Sequence, residues 1–226
     1  MSNSENYVPD DYQFDEETSK KFLGLISGAR DAGKKLGLPD NFLNDLMKEL
    51  SSNDDWAFII KAHALIESMI NHMLAEKMHI KGTSFDWKKE EISDFFTRLP
   101  IGGKNGKGDF ARKLGVIPDG LYDFLVRLSE IRNFYVHDLR NMDIKVEQYI
   151  FEKHKNRKHE FYKAFYPNYD DNKEFAHSYP EKAIKLMIMM GVLAYLSLMP
   201  AILRPPRTLL TGWLDEEKKV DNAVGS

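Results

Sequence analysis

Residues 186–203 read LMIMMGVLAYLSLMPAIL, eighteen consecutive positions without a charge. A helix that is apolar around its whole circumference is stable either in a bilayer or in the middle of a protein core. At about 1.5 Å per residue the run reaches roughly 27 Å, enough for a thin membrane. Gly191 and Pro200 interrupt it and no second comparable run exists to pair with it. A chain of 226 residues also needs one thoroughly buried helix to organise its core. The run is therefore read as a central core helix, with no membrane expected.

The remaining periodicity is helical, with convincing strand alternation almost nowhere. Phe22, Leu25, Ile26, Ala29 and Leu36 recur at helix spacing behind a Thr18/Ser19 cap, closed by Gly37 and Pro39. A short helix follows from Asp40 to Leu50. A strong one runs from Trp56 to about Met78, apolar on most of its circumference and hence central. Glu90 to Leu99 is helical, 102–108 (GGKNGKG) is a flexible loop, and Asp109 opens a short helix ending near Leu114 and Gly115. Pro118 and Asp119 introduce another helix, Gly120 to about Met142, with Leu121, Phe124, Leu125, Leu128, Ile131, Tyr135 and Leu139 on one face. Between 145 and 179, periodicity does not separate a hairpin from two short helices. The expected fold is a single all-α domain over 19–203, with 140–179 a candidate insertion, an acidic disordered arm at 1–18 and a polar tail at 204–226.

The absence of cysteine removes disulfides and thiolate metal sites, and points to a cytoplasmic protein. The six acids of the first eighteen residues, with no basic and apolar blocks, exclude a signal peptide. A net charge of −3 provides no global attraction to nucleic acid, so phosphate binding would require a local basic patch.

Several clusters invite a chemical reading. The glycine loop places Lys107 after Gly106, but Ile101 and Gly108 stand where a nucleotide-binding loop needs Gly and Ser/Thr, and no strand precedes it. Lys104 and Lys107 retain a weaker candidacy as phosphate contacts at the start of the next helix, against a mobile solvated loop. His72, Glu76 and His79 share a helix face at ligand spacing, yet no further ligand cluster supports a metal. His63, Glu67 and Asn71 form a second such row among isoleucines; if buried, the Glu67 carboxylate needs a cationic or hydrogen-bonding partner. Lys153, Lys155, Arg157 and Lys158 stand between Tyr149, Phe151, Phe161, Tyr162, Phe165 and Tyr166. Cations interleaved with rings could grip phosphates and stack bases, or form a charged turn over core aromatics.

The last cluster is Arg132-Asn133-Phe134-Tyr135-Val136-His137: an arginine followed by a polar residue, with a histidine four residues further. This resembles the motif of the HEPN superfamily. The surrounding Phe110 to Ile117, the helix ending in Ile131-Arg132-Asn133, and the earlier ELSSNDDWAFIIKAHALIESMINHML are similar to the mannitol-operon-repressor-like branch, so the resemblance covers about residues 40–140. It implies a HEPN-like helical bundle and a homodimer in which two motifs share a cleft. In the ribonucleases of the superfamily it implies His137 as general acid/base, Arg132 on the transition-state phosphate and Asn133 orienting them, without metal or cofactor, as in toxin or defence systems. Leu139 stands where one toxin subclass carries tyrosine, so that subclass is not implied. The repressor-like branch instead implies a non-catalytic module of transcription regulation acting through a protein partner. Helical geometry sets Asn133 and His137 about 40° apart but Arg132 and His137 about 140° apart. Arg132 or Asn133 is thus expected to turn inward and pair with Glu67.

Overall fold

In the computed structural model, residues 16–78, 89–165 and 183–202 are described, and among them there are helices and turns but no strand. The principal helices are α1 (Glu16–Lys35), α2 (Phe42–Ser51), α3 (Asp55–Met78), α4 (Lys89–Thr97), α5 (Lys107–Lys113) and α6 (Asp119–His137). After these come the single turn α7 (Val146–Gln148), α8 (Lys158–Phe165) and α9 (Ala183–Ile202). The all-α expectation holds. Residues 1–15, 79–88, 166–182 and 203–226 lie outside the described residues, which takes in most of the acidic arm, His79, Tyr166, the end of the 140–179 segment and the polar tail.

The core is built around α3. Asp54 caps it, its Oδ1 accepting from the Ala57 amide at 2.9 Å. Phe58, Ile59, Ala62, Ile66, Met69, Ile70, Met73 and Leu74 are then buried along its length. Neighbours cover it on several sides, with α2, α4, α6 and α9 all packed against it. The apolar run forms α9, which lies along α1 and also touches α3 and α8. Two-thirds of its apolar span, 67%, is inside the protein. The apolar face of α6 is buried from Leu121 to Tyr135, where the Tyr135 hydroxyl donates to the Ile144 carbonyl at 2.7 Å.

Three boundaries differ from the sequence reading. Thr18 and Ser19 fall inside α1 instead of capping it. The helix expected to reach Met142 stops at His137, because Asp138 turns extended and its carboxylate takes the Arg140 amide, opening a separate 3₁₀ turn at Leu139–Asn141. Leu139 therefore leaves the apolar face and is 77% exposed. The 145–165 segment resolves into short helical turns and α8. It is fastened to the start of α3 by buried Asp55, whose carboxylate accepts from the Val146 amide at 3.0 Å and from Lys185 of α9 at 3.2 Å.

Gly191 lets α9 approach α6. A Cβ there would lie 2.4 Å from Cε2 of Phe124, a fully buried ring also in contact with Phe165 and Tyr195. The Gly191→Ala protein should lose about 1–3 kcal/mol through overpacking, read as a lower urea midpoint at unchanged slope.

Candidate functional site

Spacing on α3 carries His63, Glu67 and Asn71 to the side covered by α5 and α6. Four consecutive turn residues, Pro100 to Gly103, form one wall, α6 supplies Val126, Ser129, Glu130, Arg132 and Asn133, and with His63 and Glu67 they enclose a cleft of about 470 Å³.

The glycine loop is an ordered turn, not the flexible segment its composition suggests. The Gly106 amide bonds to the Gly103 carbonyl, Lys107 to Pro100 and Gly108 to Ile101 at 2.8–3.1 Å. Gly103 and Asn105 take φ values of +87° and +70°, which glycine and asparagine tolerate. A Cβ on Gly106 would stand 2.4 Å from the Gly102 carbonyl oxygen, so glycine is required by close backbone approach. The turn drives Lys107 into the protein, with 0% of its surface exposed. Its ammonium donates to Glu67 Oε1 at 2.6 Å and to Asn71 Oδ1 at 3.1 Å. This corrects two expectations. Lys107 is no surface contact for a phosphate, and the cation matched to Glu67 is Lys107, neither Arg132 nor Asn133.

Glu67 also faces His63, its Oε2 lying 3.6 Å from Nδ1, while His63 Nε2 lies 3.1 Å from Ser129 Oγ. Burial drives the His63 ring down from 6.5 to about 4, outweighing the attraction of Glu67, with Arg132 and Lys107 adding to the fall. The imidazole is therefore neutral at pH 7.

The motif residues part company along α6. Arg132 is half-buried and donates to Asn133 Oδ1 at 3.1 Å, so the length of its side chain brings the guanidinium round to the exposed face that Asn133 shares with His137. His137 is exposed as the last residue of the helix, outside the cleft lining.

Among the basic candidates, Lys104 is exposed next to the cleft wall, and Lys155 and Lys158 are exposed on their turns. Lys153 is exposed with its ammonium 4.2 Å from the centre of the Phe134 ring. Arg157 is engaged by Glu130 and Glu160 at 3.3 and 3.0 Å, in a network with Arg127. Tyr149, Phe161, Tyr162 and Phe165 are buried, so these rings belong to the core and offer no stacking platform. On the other candidate face, His72 Nε2 lies 3.6 Å from Glu76 Oε1. Compared with known proteins, the chain matches no family model, no curated protein and no solved structure.

Sequence reasoning missed Ser129 and Glu130. The available signal was slight: Ser129 is a small hydroxyl one position from buried Leu128, on the edge of an otherwise apolar face.

Two measurements test this electrostatic arrangement. Glu67→Ala strands a buried ammonium and should cost about 3 kcal/mol or more in urea unfolding. Because folded His63 titrates near 4 and the unfolded ring near 6.5, the unfolded chain binds a proton over that interval that the folded chain refuses. Stability from this residue is thus complete above pH 6.5 and falls by up to about 3 kcal/mol on acidification to pH 4. His63→Gln should flatten the stability profile across that window.

Proposed function

We propose that the chain is a cytoplasmic, metal-independent endoribonuclease of HEPN type, working as a homodimer. The observation that carries this reading is the state of Arg132. The two carboxylates of the cleft already have cations, Glu67 with Lys107 at 2.6 Å and Glu130 with Arg127 at 2.6 Å. Arg132 touches only a neutral amide oxygen, and among the described residues it has no carboxylate within ion-pair distance. A guanidinium of this kind suits a phosphodiester oxygen. His137 lies one turn beyond Asn133 on the same face, about 6 Å along the axis, and supplies an exposed imidazole. In this reading Arg132 holds the phosphate, Asn133 fixes the guanidinium, and His137 of the same or the second copy moves the proton at the 2′-hydroxyl or the leaving oxygen. Dimerisation draws support from exposed Val136, Leu139 and Met142, an apolar group beside the motif. Lys104, Lys153, Lys155 and Lys158 remain as exposed cations for the RNA strand.

A second reading, a non-catalytic regulator acting through a protein partner, draws on the same apolar group. It also draws on the loss of Lys107 and Arg157 to internal ion pairs, which thins the basic surface an RNA groove needs.

Purified protein with mixed single-stranded RNA decides between them. The nuclease cuts equally with and without EDTA, and Arg132→Ala and His137→Ala each lower the rate by about 100-fold or more with the melting temperature nearly unchanged. Intact RNA with wild-type protein, together with a clearly destabilised His137→Ala, assigns the regulator. Sedimentation at micromolar concentration should give a dimer; monomer alone counts against the paired-motif site.

A further inference from the structure

The cleft holds three groups, Ser129, His63 and Glu67, that phosphate chemistry at Arg132, Asn133 and His137 does not use. Glu67 Oε2 lies 3.6 Å from His63 Nδ1, and His63 Nε2 lies 3.1 Å from Ser129 Oγ. A carboxylate beside Nδ1 and a hydroxyl bonded to Nε2 follow the order of an activated serine, in which the carboxylate draws the ring proton to Nδ1 and leaves the Nε2 lone pair to accept the hydroxyl proton. The Lys107 ammonium holds the other carboxylate oxygen of Glu67 at 2.6 Å. Buried on its other sides, Ser129 nonetheless lines the cleft. Arg132 and Asn133 follow it by three and four residues on the same helix face and line the same space. Their donors are suited to an oxyanion, because Asn133 uses its carbonyl oxygen toward Arg132 and keeps its amide hydrogens available.

We propose that Ser129, His63 and Glu67 form a nucleophilic site for small carboxylic esters, with Arg132 and Asn133 supplying oxyanion donors. Ser129 Oγ attacks the carbonyl carbon as its proton passes to His63 Nε2. The ester C–O bond breaks as that proton is delivered to the leaving alkoxide, giving an acyl-Ser129 protein. Water, deprotonated by the same nitrogen, then releases the acid and restores the hydroxyl. The volume of about 470 Å³, bounded in part by Ile101 and Val126, has room for such an ester.

The groups facing His63 give this site an unusual pH profile. Its burial, with Arg132 on α6 and Lys107 on α5, outweighs Glu67 on α3 and keeps the ring neutral far into acid. A base titrating at its ordinary value would lose about tenfold in its neutral fraction at pH 5.5.

A fluorophosphonate probe tests the proposal on the full chain, its phosphorus taking Ser129 Oγ while fluoride leaves. Intact mass and peptide mapping should show one adduct, on Ser129, formed at nearly equal rates at pH 7.5 and 5.5. Ser129→Ala should take no probe, and His63→Gln should label at least about 100-fold more slowly. p-Nitrophenyl acetate should give a burst of one nitrophenolate per active chain with wild type and none with Ser129→Ala. Wild-type protein that takes no probe, takes it on another residue, or shows no burst overturns the proposal without needing any variant to fold. Labelling unchanged in a folded His63→Gln, checked by circular dichroism, also overturns it and assigns the His63–Ser129 bond to holding α3 against α6. The adduct is read on one residue, so the result stands whether or not the protein cuts RNA.

Discussion

The contact between Lys107 and Glu67 decides the shape of the cleft. An ammonium with none of its surface in water is tolerable only beside a carboxylate and a further acceptor, and Glu67 and Asn71 on consecutive turns of α3 provide both. To place Lys107 there, the chain from Pro100 to Gly108 must fold into a tight turn with carbonyl–amide bonds across it, and that turn becomes one wall. Gly106 and Gly108 are fixed by the same demand, since a Cβ at either would meet a carbonyl oxygen within 2.8 Å.

The pairing also sets the electrostatics of the space it encloses. With Glu67 matched by Lys107 and Glu130 by Arg127 and Arg157, the acids of the cleft do not compete for Arg132. His63, held neutral by burial between them, adds a lone pair but no charge. Among the described residues, the cleft therefore combines one guanidinium without an ion pair, one neutral imidazole and one hydroxyl. This set can recognise an anion through Arg132 and accept a proton through His63. His137, beyond the rim and exposed, belongs to a different environment, close to the apolar residues at the end of α6.

Local signals located the helices because each depends on neighbours three and four residues away. Apolar spacing and turn residues place α1, α3, α6 and α9 within a few residues of where they lie. The end of α6 was less legible, since Asp138 breaks it through a side-chain bond to the Arg140 amide that periodicity does not register. The 145–165 segment was illegible because its short turns are held by Asp55, 91 positions away, and by ring contacts that periodicity does not register.

Sequence by itself determined that the described elements are helices, that the apolar run packs into the core, and that a buried Glu67 requires a partner. A charge row among isoleucines on a helix cannot be left unmatched, and an uncharged run cannot face water. Only the tertiary structure decided which partner Glu67 takes, that Arg132 bonds to its neighbour Asn133, and that Ser129 meets His63 across 66 positions of chain. Those outcomes depend on how a glycine turn and three helices meet in space. Residue spacing along one helix fixes a direction from its axis, while the contact made in that direction is fixed by what packs there.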